Sequence, residues 1–174
     1  MCITLSHMYQ KVSWKMGKPQ PFRHLGTIKP RRQSDRALHA YNYLVAWVAC
    51  GGDKVRVNGE WKQLTRPKII PEGSPKRLFT YGDLVEAIGD SRQSGRSLAM
   101  PLGILARFCL NNGVPLINTL VVNHEDGRPG LGLISEGDKP LGQQQREALK
   151  FDWLNYRAPT SRTLKAIQDS EDED

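Results

Sequence analysis

The sequence predicts an α+β protein organised around a helix-turn-helix followed by a β flap, and three observations predict it. Two apolar helical stripes lie on either side of a short polar turn between Thr80 and Asn112. A β-rich run with a glycine-rich turn comes after them, and an alternating strand pattern surrounds Asn58-Gly59 ahead of them.

Residues 1–33 mix Lys11, Lys15, Lys18, Arg23, Lys29, Arg31 and Arg32 with prolines and aromatics and hold no sustained period, so they read as a basic N-terminal arm. Residues 34–66 read as a helix plus a β-hairpin. Ser34 or Asp35 caps the helix, Leu38, Tyr41, Val45 and Val48 follow three-and-four spacing, and Gly51-Gly52 ends it. Lys54 to Val57 and Trp61 to Leu64 then alternate in polarity around Asn58-Gly59, a pair suited to the positive φ angles of a tight turn. Lys54, Arg56 and Lys62 fall on the hairpin's solvent face, either as a charged edge or as a ribbon that contacts phosphates.

Residues 67–157 form the main predicted unit, after Pro67, Pro71, Gly73 and Pro75 interrupt regular structure. Thr80 caps a short helix whose apolar face is Leu84, Val85 and Ile88 and whose end is Gly89. A polar turn, Asp90 to Ser97, leads into a longer helix capped by Ser97, with Leu98, Leu102, Leu105 and Cys109 on one stripe and Gly113 as terminator. Pro101 then falls in its first turn, where the missing amide had no helical partner. Leu116 to Asn123, a turn, and Gly130 to Ile134 read as a wing-like hairpin, which makes the unit a winged helix-turn-helix. A C-terminal helix over Gln143 to Trp153 comes next, and residues 158–174, ending Asp169-Ser170-Glu171-Asp172-Glu173-Asp174, read as an acidic tail.

Charge is divided unevenly along the chain. Of the net +7, residues 1–66 carry 12 Lys and Arg against 3 Asp and Glu, so the polyanion-facing surface is expected in that half. Met1 to Lys18 lacks the apolar stretch of a secretory signal, and no run reaches the roughly eighteen apolar residues of a membrane span. Cys2, Cys50 and Cys109 are odd in number and far apart, which argues against a disulfide framework or a zinc knuckle and for reduced thiols in a cytoplasm.

The order Ile70-Pro71-Glu72-Gly73, Thr80-Tyr81-Gly82-Asp83-Leu84, Ile88-Gly89, Gly95-Arg96-Ser97-Leu98, then Val114-Pro115 to Val122 and Gly127, resembles the DNA-binding domain of alkylguanine-DNA alkyltransferases and alkyltransferase-like proteins. The similarity spans residues 69–134. It implies minor-groove binding, with Tyr81 near a phosphate and Arg96 filling the gap left by a flipped base. The family's alkyltransferases carry Pro-Cys-His-Arg before paired valines, where this chain has Ile117-Asn118-Thr119-Leu120. Alkyl transfer needs a thiolate with an adjacent histidine, and neither stands there. Ile117 and Leu120 also argue against the polar lesion pocket of the alkyltransferase-like proteins.

No other constellation carries chemistry. His124-Glu125-Asp126 has no second histidine at ligand spacing, so no metal is expected, and the glycines around Arg128 and Pro129 lack the strand and helix of a nucleotide loop. No catalytic set, cofactor or membrane contact is therefore expected. The leading expectation is a non-enzymatic DNA-binding protein using Tyr81, Arg92, Arg96, Arg128, Lys54, Arg56 and Lys62. The alternatives are a phage or mobile-element factor that binds or inhibits a host protein, and, third, a DNA repair enzyme or nuclease.

Overall fold

The computed structural model describes residues 32–171 apart from residues 52, 58, 59, 131 and 132, together with the side chains of all but residues 55, 56 and 171 among these. The expected basic arm, save its last two residues, and the tight turn at Asn58-Gly59 lie outside the described residues. Within them the protein is a mixed helix-and-strand fold of five α-helices and two small two-stranded sheets.

Helix α1 (Gln33–Cys50) buries Ala37, Ala40, Tyr41, Leu44, Val45, Trp47 and Val48. Gly51 ends it in the left-handed region at φ +67°, with its amide bonded to the Trp47 carbonyl at 3.2 Å. A residue with a Cβ is strained there, which is why glycine serves as the stop. Strands β1 (Lys54–Val57) and β2 (Glu60–Gln63) pair antiparallel, Arg56 opposite Trp61 and Lys54 opposite Gln63.

Strand β3 (Phe79–Thr80) runs directly into α2 (Tyr81–Ala87), where the Thr80 hydroxyl accepts the Asp83 amide at 3.2 Å, as a capping residue should. The segment expected as a polar turn is wound as two short 3₁₀ turns over Arg92–Leu98, separated by a kink at Ser94, and α3 (Ala99–Asn111) continues from the second. Ser97 is therefore not the cap of α3; its hydroxyl donates to the Ser94 carbonyl at 2.6 Å and accepts from Arg36 of α1 at 2.6 Å. Pro101 still falls in the first turn of α3, and Leu98, Leu102, Leu105 and Cys109 all face the core.

The wing differs from expectation. A second 3₁₀ turn takes Ile117–Leu120, and strand β4 (Val121–Val122) pairs parallel with β3, Phe79 against Val121 and Thr80 against Val122. The valines that would have begun a flap are fully buried. Their burial on both faces suits a short central parallel pair better than a solvated hairpin. Beyond β4 the chain forms a compact loop in which Asn123 N–H bonds to Arg128 O at 2.8 Å and Gly127 N–H to Asn123 O at 3.0 Å.

Helix α4 (Leu141–Lys150) ends three residues before Trp153, which apolar spacing alone places inside it. The Trp153 indole N–H takes the Ala148 carbonyl at 2.8 Å, capping a carbonyl that a continuing helix would have used. Within the stretch expected as an acidic tail, Ser161–Glu171 form helix α5, while residues 172–174 lie outside the described residues. Thr160 accepts the Thr163 amide at 3.1 Å, and Leu164, fully buried, docks α5 against α1 and α3. Two apolar positions three residues apart, Leu164 and Ile167, are enough to seat a helix whose other residues are mostly polar.

The core lies between α1, α3 and α5, with Tyr41 meeting Phe108 and Trp153 edge to face at 6.2 and 6.0 Å. The 3₁₀ lead-in to α3 packs against α2, and Arg96 and Ala99 at its end are exposed to solvent.

Candidate nucleic-acid interface

Two close approaches build one cleft. Tyr81 is the first residue of α2, and its phenolic oxygen reaches across to accept the Gly130 amide at 2.9 Å. A Cβ on Gly95 would sit 3.3 Å from the Tyr81 Cβ, so glycine lets the 3₁₀ segment lie against the start of α2. Burial pushes the Tyr81 phenol above its ordinary pKa despite the Gly130 hydrogen bond, which keeps the hydroxyl protonated as a neutral wall.

The resulting cleft measures about 770 Å³ and is bounded by the start of α2, the 3₁₀ segment, the first turns of α3, Asn118 and the loop through His124 to Ile134. That is within the size range of clefts that take small ligands, roughly 300–1,000 Å³, and leaves ample room for a single base. At its base Asn118 is 2% exposed; its Nδ2 donates to the Ile134 carbonyl at 3.2 Å, and its Oδ1 is buried with no partner among the described residues.

Ile117 and Leu120, which argue in sequence against the polar lesion pocket of the alkyltransferase-like proteins, do not line this cleft. In a 3₁₀ turn residues three apart share a side, so these two enter the core together, both 0% exposed, and Asn118 is left to face the cleft. That spacing is visible in the sequence. A strand reading of the same run hides Asn118, because a period of two pairs it with Leu120.

The seven sequence-predicted residues do not act as one group. Tyr81, Arg92 and Arg96 line the cleft. Arg96 is exposed, and its guanidinium has no ion pair or hydrogen bond among the described residues. Arg92 is committed elsewhere: it donates to Asp83 at 2.7 Å, to Glu86 at 3.1 Å and to the Thr65 hydroxyl at 2.7 Å. Partial burial works against its charge, but the two carboxylates outweigh that and raise its pKa. Lys62 bonds both oxygens of Glu86. Expected as phosphate contacts, Arg92 and Lys62 instead tie the hairpin to α2, because the pleat that exposes Trp61 turns Lys62 towards the helix.

Arg128 is exposed on the loop and lines a separate hollow of about 410 Å³ with Pro71, Gly73, Leu141 and Arg146. Its amide donates to Asp126 at 2.9 Å, which fixes the backbone and leaves the guanidinium in solvent. Lys54 is exposed on β1. Arg56 is placed by register opposite Trp61, while its side chain lies outside the described residues.

Cys109 is fully buried on α3, and burial pushes its thiol up to about 11, the Ile117 backbone hydrogen bond opposing only part of that. His124 lies 3.1 Å from Glu125, which Lys68 also contacts at 2.6 Å. Among the described residues no three His, Cys, Asp or Glu side chains converge as a metal site, and no helix is long and apolar enough to cross a membrane. Comparison with protein-family models, with curated proteins and with solved structures gives no match for this chain.

Proposed function

We propose that this chain is a non-enzymatic DNA-binding protein whose α2, 3₁₀ turn and α3 act as a helix-turn-helix of the alkyltransferase-like kind, with the loop over residues 123–134 in the place of a wing. One observation carries the reading: Arg96, exposed and unpaired among the described residues, stands at the lead-in to α3 on the rim of a cleft roomy enough for a base, whose buried floor holds an amide oxygen without a partner among them. Guanidinium groups at such a position hold phosphates or enter the minor groove. The outer start of α3 is Ala99, exposed, and Gly103, with nothing within 4 Å of where a Cβ would stand, so a duplex backbone can come close.

In this reading α3 lies along a groove, Arg96 props the helix at its edge, and an unstacked base enters beside Tyr81, offering a donor to Asn118 Oδ1. Arg128 and Lys54 add phosphate contacts. With Arg92 and Lys62 neutralised, about three phosphates are engaged, so the log–log slope of affinity against salt on duplex DNA is about −3. The test is an anisotropy titration of wild type and Arg96→Ala on matched duplex, mismatched duplex and single strand over a salt series. Preference for the mismatched duplex, lost with Arg96, supports the reading, whereas no salt-sensitive binding at low ionic strength ends it.

A further inference from the structure

Trp61 stands outside the core. The other two described tryptophans, Trp47 and Trp153, are core residues at 5% and 3% exposure, but Trp61 stands 70% exposed in the middle of β2. The antiparallel register sets what surrounds it. Direct cross-strand partners share a face, so Lys54, Arg56, Trp61 and Gln63 occupy one side of the ribbon. The opposite side carries the buried Val57, with Glu60 beside it, and Lys62, whose ammonium bonds Glu86 of α2.

The outer face therefore combines one large aromatic, two basic positions and an amide, with no carboxylate at its four register positions. Asp53, next to it in sequence, is paired with Arg66 at 3.1 Å. A surface meant for an apolar protein partner groups several hydrophobic side chains. The other large exposed apolar residues among those described, Ile69, Ile70, Met100, Leu110 and Leu154, belong to other segments, and the register positions that share a face with Trp61 are basic or polar. One ring with flanking cations is instead the composition that holds unpaired bases, the ring stacking on a base face and the cations tracking phosphates.

We propose that the outer face of the β1–β2 ribbon is a second nucleic-acid surface, on which Trp61 stacks against an unpaired base of single-stranded DNA while Lys54 holds an adjoining phosphate. The ribbon is coupled to the cleft: Thr65, four residues and so at most about 14 Å of chain beyond Trp61, is bonded to Arg92 in the cleft wall. A strand displaced from a duplex on α3 has the ribbon within short reach. The choice of DNA as the strand rests on the reading proposed above; the stacking geometry does not.

The experiment compares a blunt duplex, the same duplex ending in an unpaired tail, and the tail alone, titrated against the full chain and its Trp61→Ala, Trp61→Phe and Arg96→Ala variants. Alanine removal of a stacking aromatic is expected to weaken binding of the tailed duplex by about 5- to 150-fold, with blunt-duplex affinity unchanged within about twofold. Phenylalanine recovers most of the loss, and the tryptophan fluorescence quench produced by the tail disappears in Trp61→Ala. Because Trp61 is solvent-facing, an unchanged melting temperature verifies that the variant is folded. Equal binding of the tailed duplex by wild type and Trp61→Ala overturns the proposal, as does an equal loss on blunt and tailed DNA. If the tail alone binds through Trp61 while blunt duplex does not bind at all, the ribbon surface stands and the helix-turn-helix reading fails.

Discussion

Arg92 and Arg96 lie one helical turn apart in the sequence, yet they belong to two regions with opposite electrostatic design. At the junction of hairpin and α2, Arg92 bonds both Asp83, which is 2% exposed, and Glu86, and Lys62 joins it on Glu86. Arg96 on the cleft rim and Arg128 on the neighbouring loop are exposed, and their guanidinium groups meet no carboxylate among the described residues. Positive charge in this protein is thus of two kinds. One kind neutralises buried acid and holds the fold together; the other remains available to a polyanion.

Substitutions separate the two regions, and the largest effect is expected at the loop that carries Arg128. A Cβ on Gly127 would stand 2.1 Å from the Ile69 carbonyl at a φ of +64°, so Gly127→Ala must displace backbone and is expected to cost at least about 3 kcal/mol in urea unfolding. At the junction, Asp83→Ala leaves Arg92 without its closest carboxylate partner and the Thr65 amide, now bonded at 2.7 Å, unsatisfied. A loss of about 2–3 kcal/mol is expected there. Lys62→Ala removes a pair whose side chains are 42% and 24% exposed and should cost less than about 1 kcal/mol. An equal loss for Asp83→Ala and Lys62→Ala would erase the distinction between a buried anchor and a surface pair.

Arg96→Ala marks the other end of the scale. Nothing in the fold leans on the guanidinium, so unfolding stability stays within about 0.5 kcal/mol of wild type while the salt slope on duplex DNA falls by about 0.9. A substantial loss of stability would move Arg96 from the rim to the framework.

The core beneath both regions makes its own pH prediction. Burial raises Cys109 from 9.0 to about 11 and Tyr41 from 10.0 to about 12. Each group favours folding in its neutral form. That contribution is complete below the unfolded value and is lost as pH rises, between about 9 and 11 for Cys109 and between about 10 and 12 for Tyr41. Alkaline unfolding should therefore begin above about pH 9, and peptide mapping after iodoacetamide at about pH 8 should find the exposed Cys50 alkylated and Cys109 intact. Alkylation of both at equal rates would show that the α3 core opens readily.

Much of the fold is legible without coordinates. Apolar spacing locates α1, α2 and α3, Thr80 and Gly113 mark ends, and alternation around Asn58-Gly59 locates the two paired strands. The departures share a cause. Val121 and Val122 suggest a flap because β-branched residues favour strands wherever they occur, and the parallel partner Phe79-Thr80 is what selects the strand they form. Likewise, α5 resembles a tail in sequence because a helix with two apolar contacts carries little local signal until α1 and α3 supply a surface for Leu164.

The order of residues alone establishes which positions can bear charge, which can line a helix face, and that Ile117 to Leu120 cannot supply an activated thiolate. Which of the cations are free is settled on folding. Local periodicity comes from backbone geometry and is written along the chain, whereas an ion pair between Arg92 and Asp83, or a buried amide at the floor of a cleft, depends on segments that meet only when the chain is packed.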